Sequence, residues 1–227
     1  MKKSKFLLVL TVLTYIFLIG PMFVMIGTAF NSESALAFPP AGFSFQWFEK
    51  AFSSASFIEG FKTSSIVSLA GTLLAMLLGV PAAYAMNKYR FPLKGLVNGF
   101  FISPTLIPAV VLGFSLLKSF VPSMGGSIYS GLLVGYTLIA IPYVIRVTSS
   151  ALANFDFAVE EAARSLGCCA PKAFFKAVIP NIRSGLTSAF ILAFINSFND
   201  VCIGVFVSSP GTMTLPTRKS VPVRRVA

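Results

Sequence analysis

The sequence predicts an all-helical integral membrane protein with about five transmembrane helices. Of the 227 residues, 56% are hydrophobic and only 11% are charged, whereas charged residues make up about 25% of an ordinary soluble domain. The few charges leave long uncharged windows, and the chain contains no histidine. These observations exclude a water-soluble globular fold, and they also exclude catalysis or metal binding through imidazole.

Five uncharged or nearly uncharged windows define the predicted spans. A hydrocarbon core about 30 Å thick needs about 20 helical residues, and a helix satisfies its own backbone hydrogen bonds in lipid. The first four windows are residues 6–30, 63–87, 95–117 and 119–145. The fifth begins after Arg183, contains Asp200 and ends near residue 208. Prolines at 81, 104, 108 and 142 are expected to kink these helices.

The first window has two interpretations. Its basic start and the small residues Ala35-Leu36-Ala37 resemble a cleavable signal peptide. However, an uncharged stretch from 6 to 30 is too long for a signal-peptide core of about 7–15 residues. A retained helix is therefore the favoured interpretation.

The net charge of +11 predicts the orientation of the chain. Lys and Arg concentrate in cytoplasmic loops, which places the N-terminus in the cytoplasm because Lys2, Lys3 and Lys5 precede the first span. The loops at 88–94 and 149–183 are then cytoplasmic, and residues 31–62, with an amphipathic stretch around Trp47, lie outside. Because the cations follow this sidedness, the charge indicates membrane topology and not a nucleic-acid partner.

Several kinds of chemistry have no residues to support them. The three cysteines, Cys168, Cys169 and Cys202, have neither a disulfide nor a zinc spacing. No G-x-x-x-x-G-K-[ST] sequence is present to hold ATP phosphates, and no catalytic triad or dyad can be assembled. We therefore expect no enzyme activity, no cofactor and no metal site in this subunit.

The polar segment at 150–183 predicts a helix, a glycine turn and a second short helix. Asn154 or Asp156 can cap the first helix, Glu160 and Arg164 are spaced for a supporting ion pair, and Gly167 suits its left-handed end. The apolar residues at helical spacing are Phe155, Val159, Ala162 and Leu166. Pro171 suits the start of the second helix, and Pro180 is expected to bend the chain before the fifth span. Spacing alone also permits an interfacial helix bound to lipid headgroups.

The residues of this segment resemble a specific family. Glu161-Ala162-Ala163, Gly167 and Ile179-Pro180 are similar to the EAA loop of inner-membrane permease subunits of binding-protein-dependent ABC importers. That pattern reads EAA, three residues, Gly, nine residues, and then I-x-L-P. Ala177 and Ile179 depart mildly from it and leave Pro180 in register.

The resemblance implies a fold, a role and partners. The fold would be the bundle of a type I ABC importer permease in the bacterial inner membrane, performing no covalent chemistry and moving solute by alternating access. The loop would couple this subunit to a separate ATP-binding ABC subunit, present in two copies. A second permease, an external substrate-binding protein and membrane lipid would be the other partners. The coupling residues would be Asp156, Glu160, Glu161, Ala162, Ala163, Gly167 and Pro180.

The likeness extends to most of the chain. Ser103-Pro104 through Gly113, Ile141 to Arg146, and Ser197-Phe198-Asn199-Asp200 resemble the spermidine/putrescine-type branch. That branch also includes importers for iron, thiamine and aminoethylphosphonate, so the solute stays open. Asn196, Asn199 and Asp200 are candidates for the translocation path, because polar groups within a span are functional hypotheses. Asp200 could equally pack a gate or contact a helix end.

The C-terminus departs from the family pattern. Residues 1–216 form the expected permease domain, with the coupling loop at 150–183 inside it, whereas 217–227 form a basic tail where a further span is usual. We expect a truncated or frame-shifted reading whose last helix is lost, and an inactive truncated permease is one alternative that remains open. Other classes that remain open are an ATP-independent secondary transporter or channel, and a membrane-anchoring interaction protein.

Overall fold

The computed structural model describes residues 5–33, 39–120, 128–207 and 214–215, with all their side chains except those of Phe6 and Phe120. Lys2 and Lys3, the turn at 122–126 and the tail at 217–227 lie outside the described residues. The chain divides into two compact units, 1–58 and 59–227, and each is described by itself.

The first unit contains a long apolar helix and a short amphipathic one. Helix α1 (Lys5–Ala29) carries exposed apolar side chains all round, as expected of a helix that lipid surrounds. Helix α2 (Gln46–Ser53) follows an isolated antiparallel bridge between Asn31 and Phe43. The Trp47 indole Nε1 donates to the Asn31 carbonyl at 2.8 Å, so the indole ties α2 to the end of α1.

Two long helices form the centre of the second unit. Helix α3 (Ala55–Lys88) begins in the first unit and continues into the second, and helix α6 (Ile128–Ala153) packs against it. Glycines permit the close approach: a Cβ on Gly71 would stand 3.0 Å from the Tyr136 Cβ, and one on Gly79 would stand 2.8 Å from a Val144 methyl. These helices confirm the predicted second and fourth spans.

The third predicted span is broken instead of continuous. Helix α4 (Lys94–Ile102) runs into a 3₁₀ turn at Ser103–Thr105, and α5 (Ala109–Ser115) follows and ends in a π-turn at Leu116–Phe120. The two halves meet at 88°. The physical reason lies in Pro104 and Pro108, which have no amide hydrogen to donate, and Pro108 adopts an extended ψ of 129°. The kink expected at these prolines is therefore present as a break, and the window at 95–117 is not one continuous helix.

Four helices follow α6 in the part of the chain that the structure describes. Helix α7 (Ala158–Ser165) is followed by α8 (Ala170–Asn181), whose middle at Phe174–Val178 is wound as a π-helix. Helix α9 (Arg183–Phe198) leaves α8 at 79°. Helix α10 (Cys202–Val207) packs against α5 and α6. Helix α9 thus ends at Phe198, before Asp200, so the predicted fifth window is not one continuous helix.

Within the described residues, three helices are long and apolar enough to cross a membrane, and the two bent pairs bring the number to as many as five. This agrees with the predicted all-helical membrane fold. An apolar cluster fixes the ends of α3, α6 and α8 together. Its buried members are Ala83, Met86, Ile145, Leu152, Val178 and Ile182. The segment at 150–183 is thereby held against the Lys88 end of α3.

Candidate functional site

Asp156, one of the two capping residues predicted from the sequence, lies two residues before the first residue of helix α7. Its Oδ1 accepts a hydrogen bond from the Ala158 amide at 2.9 Å, and its carbonyl accepts from the Val159 amide at 3.2 Å. Asn154 instead donates back to the Ser150 carbonyl at the end of α6. The helix start is therefore defined by a short side chain that satisfies an otherwise unpaired amide.

Gly167 ends α7 in the left-handed conformation, with φ of 91°. The Gly167 amide donates to the Arg164 carbonyl at 3.0 Å, and the Cys168 amide donates to the Ala163 carbonyl at 3.1 Å. This pair of bonds is the Schellman motif. No atom lies within 4 Å of a Cβ built on Gly167, so the requirement for glycine comes from the backbone conformation and not from lack of space.

Glu160 lies on the inner face of α7 and is completely buried. The Tyr84 hydroxyl donates to its two carboxylate oxygens at 2.7 and 2.8 Å. The Lys88 ammonium forms an ion pair with the same carboxylate and donates to the Tyr84 oxygen at 2.7 Å. The predicted pair between Glu160 and Arg164 was wrong, because this carboxylate turns inward to α3.

Aromatic rings surround this group. The Tyr84 ring packs edge-on against Phe174 of α8, with centroids 4.8 Å apart, and lies 6.2 Å from Phe157. Phe157 in turn packs against Phe155 at 5.2 Å. The charged groups are thus enclosed by apolar surface, where a paired carboxylate interacts far more strongly than it would in water. We call Tyr84, Lys88 and Glu160 the Glu160 cluster.

The opposite face of α7 is open. Glu161 and Ala162 are exposed, and Ala163 is half-buried. The apolar residues beside them are also uncovered: Val159 is 46% exposed and Leu166 is 88% exposed. An open depression of about 520 Å³ adjoins them, lined by Glu161, Arg164, Ser165, Cys168, Cys169 and Ala170. We call this side of α7 the outer face.

Two prolines shape the second helix of the segment. Pro171 is the second residue of α8, as the sequence predicted within one position. Pro180 lies in the last turn of α8, immediately before the 79° bend into α9. The predicted bend at this proline is confirmed. The two prolines therefore mark the start and the end of α8.

The second candidate region lies at the break between α9 and α10. Asn196 and Asn199 are exposed, whereas Asp200 is half-buried. The three line one open depression of about 420 Å³ together with Ile195, Val201 and Cys202. Asp200 Oδ2 accepts from the Ile203 amide at 2.8 Å, so its carboxylate caps α10. The alternative of a helix-end contact is the one the geometry supports.

Sequence reasoning missed the roles of Tyr84 and Lys88. Lys88 was assigned only to the charge bias of a loop, and Tyr84 was not singled out. They stand one turn apart on α3, so they present a hydroxyl and an ammonium to the same side. Their acceptor lies 72 and 76 residues further along the chain. No local pattern connects positions so far apart.

Comparisons with known proteins agree with this architecture. Residues 71–221 match the family described as binding-protein-dependent transport system inner membrane component. The chain is 33% identical to the putrescine transport system permease protein PotI of Escherichia coli, with 94% of this chain and 78% of PotI covered. It is 29% identical to the spermidine/putrescine transport system permease protein PotC of Haemophilus influenzae, covering 90% and 79%.

Solved structures share the fold at lower identity. A bacterial ABC transporter involved in the import of the acidic polysaccharide alginate aligns with a TM-score of 0.69 at 17% identity, covering 94% of this chain and 77% of that one. The methionine ABC transporter MetNI aligns with a TM-score of 0.61 at 20% identity, covering 71% and 77%. The protein is thus a multi-pass membrane permease subunit, and the chain belongs to the family of inner-membrane components of binding-protein-dependent transport systems.

Proposed function

We propose that this permease imports a polyamine, with putrescine as the first solute to test, and that a separate ATPase drives it through the outer face of α7. The observation that supports a polyamine as the solute is the 33% identity to a putrescine permease over 94% of this chain. Iron, thiamine and aminoethylphosphonate are the comparison solutes. An ATP-independent transporter or channel is not favoured, since the relatives are subunits of binding-protein-dependent systems.

The outer face supports the ATPase contact. Leu166, Val159 and Ala162 are apolar or small and uncovered, and Glu161 adds a fixed negative charge beside them. Exposed apolar side chains on a short helix are typical of a protein interface, and a helix laid in a groove is a common mode of recognition. Asp156 and Gly167 set the length of this helix, so they define how much of it a partner can contact.

The proposed contact between α7 and the ATPase also predicts the orientation of the chain in the membrane. The ATPase works in the cytoplasm, so α7 belongs on that side. The ion pair between Lys88 and Glu160 puts the end of α3 at the same level, together with the basic loop at 88–94. This supports a cytoplasmic N-terminus, since α1 and α3 are successive spans. A second permease, two ATPase copies and an external binding protein complete the proposed assembly.

Reconstitution of the complex in proteoliposomes tests this function. The chain is co-expressed with a candidate ATPase, second permease and binding protein from the same genome, and uptake of radiolabelled putrescine is measured with and without internal ATP. We expect ATP-dependent uptake that excess unlabelled putrescine abolishes. Uptake that proceeds equally without ATP would contradict the proposal, and uptake of another solute in the panel would reassign the substrate.

One substitution tests the outer face. Glu161→Lys reverses the charge without touching the buried side of α7, so we expect the permease to insert normally and to lose the ATPase on affinity purification. Glu49→Lys on α2 makes the same charge change on an exposed residue of the first unit and is the matched control. ATPase recovery at the wild-type level with Glu161→Lys would contradict the proposed contact.

A further inference from the structure

The two adjacent glutamates of α7 point in opposite directions. Glu161 is exposed on the outer face, whereas Glu160 is completely buried against α3. The carboxylate of Glu160 forms an ion pair with the ammonium of Lys88. A helix that receives a partner on one face is therefore anchored on the other by a charged contact.

The three side chains of the Glu160 cluster, which anchors α7, all contact one another. Each of its three side chains contacts the other two: the Tyr84 hydroxyl donates to both oxygens of Glu160, and the Lys88 ammonium contacts the carboxylate and the Tyr84 oxygen. The Lys88 side chain is only 12% exposed, although lysine normally extends into water. Three mutual contacts fix both the distance and the direction between α7 and the end of α3.

The partner of this anchor is an uninterrupted helix. Tyr84 and Lys88 occupy the last two turns of α3, which continues for 34 residues to Ala55, with Pro81 included without a break. The other connections of α7 are less direct. Its link to α6 is the loop at 154–157, and its link to α9 passes through the π-turn of α8 and a 79° bend. A displacement of α7 therefore reaches α3 through the shortest rigid route.

We propose that Tyr84, Lys88 and Glu160 are positioning residues that transmit the movement of α7 to the second span, so that ATP-driven closure on the outer face moves α3. This inference rests on the proposed docking of the ATPase. It assigns the two glutamates separate roles. Glu161 contributes to holding the partner, and Glu160 passes the movement of α7 to the bundle.

The test separates coupling from assembly. Glu160→Gln keeps the shape of the side chain and removes its charge, Lys88→Met removes the ammonium, and Tyr84→Phe removes only the hydroxyl. Each variant complex is reconstituted, and both ATP hydrolysis and putrescine uptake are measured. We expect the ATPase to co-purify and to hydrolyse ATP near the wild-type rate, while solute imported per ATP falls by about tenfold for the two charge variants.

A second readout does not depend on the solute. In a chain with its three native cysteines replaced by alanine, Lys62→Cys puts a thiol on the exposed surface near the opposite end of α3. We expect its maleimide reactivity to change when ATP and vanadate are added to the otherwise wild-type complex. In the Glu160→Gln background this response should be lost. If the otherwise wild-type complex imports no putrescine, the solute assignment fails. The maleimide reactivity of the introduced thiol still tests the role of the Glu160 cluster, because it does not depend on the solute.

Matched variants make the outcome decisive. Glu161→Gln, on the neighbouring residue, should weaken ATPase recovery and leave the ratio of solute to ATP unchanged. Exchanging the charges in the double variant Lys88→Glu, Glu160→Lys should restore part of the solute-to-ATP ratio that the single variants lose.

If Glu160→Gln and Lys88→Met fail to accumulate in the membrane, Tyr84→Phe is the variant that tests the proposal, because it keeps the ion pair. A wild-type ratio together with a wild-type thiol response would overturn the proposal.

Discussion

Two carboxylates near opposite ends of the second unit are stabilised by different kinds of partner. Glu160 has its partners on another helix, at sequence separations of 72 and 76 residues. Asp200 accepts from the amide of Ile203, three residues away. The first contact holds two helices together, and the second only starts the helix that follows it. The difference shows that a buried or half-buried carboxylate indicates function only after its partner is known.

The contrast predicts different responses to neutralising substitutions. A long-range pair leaves an uncompensated charge behind when one member is removed, whereas a local cap can be replaced by any short acceptor. Three variants follow in decreasing order of expected effect: the first and the last test this distinction, and the second tests the turn that ends α7.

Lys88→Met is expected to lower the free energy of unfolding by about 3 kcal/mol, because it leaves the buried Glu160 carboxylate without its counter-ion. The measurement is unfolding of the purified permease in mixed detergent micelles. Adding Glu160→Gln to this variant should recover part of the loss, since the stranded charge is then absent. Equal stability of Lys88→Met and wild type would remove the distinction between the two carboxylates.

Gly167→Val is expected to cost about 1–2 kcal/mol, because a residue with a Cβ is strained in the left-handed region and a β-branched one is strained most. Gly167→Asn is the control, since Asn tolerates this conformation better than other residues. Space is not the cause, because nothing lies within 4 Å of the added atom. For Gly167→Val, ATP-driven uptake should fall by more than the loss of stability alone would cause. Equal behaviour of the two variants would show that the Schellman turn is dispensable.

Asp200→Asn is expected to change stability by only a few tenths of a kcal/mol, since asparagine caps a helix about as well as aspartate. Asp200→Ala should cost about 1 kcal/mol by the loss of the cap. Uptake of putrescine by the two variants tests the translocation-path prediction separately. A severe loss of uptake with Asp200→Asn, at unchanged stability, would show that the charge itself acts on the solute.

The sequence predicted the parts of the structure that local rules determine. Uncharged windows identified the membrane helices, Gly167 identified the end of α7, and Pro180 identified the bend before α9. It predicted kinks at Pro104 and Pro108, but it did not predict that the chain would divide there into two helices, α4 and α5, that meet at 88°. Nor did it predict the orientation of Glu160, because the helical spacing to Arg164 was a plausible local pair. The competing contact with Lys88 exists only after α3 and α7 have packed.

The π-turn at Phe174–Val178 has a consequence for how this chain is compared with its relatives. Ala173 and Val178, five residues apart, are both completely buried, whereas an ideal α-helix repeats its faces after three or four residues. The wider turn uses one additional residue per revolution, so each residue after it is set back around the helix axis relative to its position in a continuous α-helix. Two homologues can therefore conserve the number of residues between the glycine and the proline and still present different faces. They can equally differ by one residue and present the same face, if one of them lacks the π-turn.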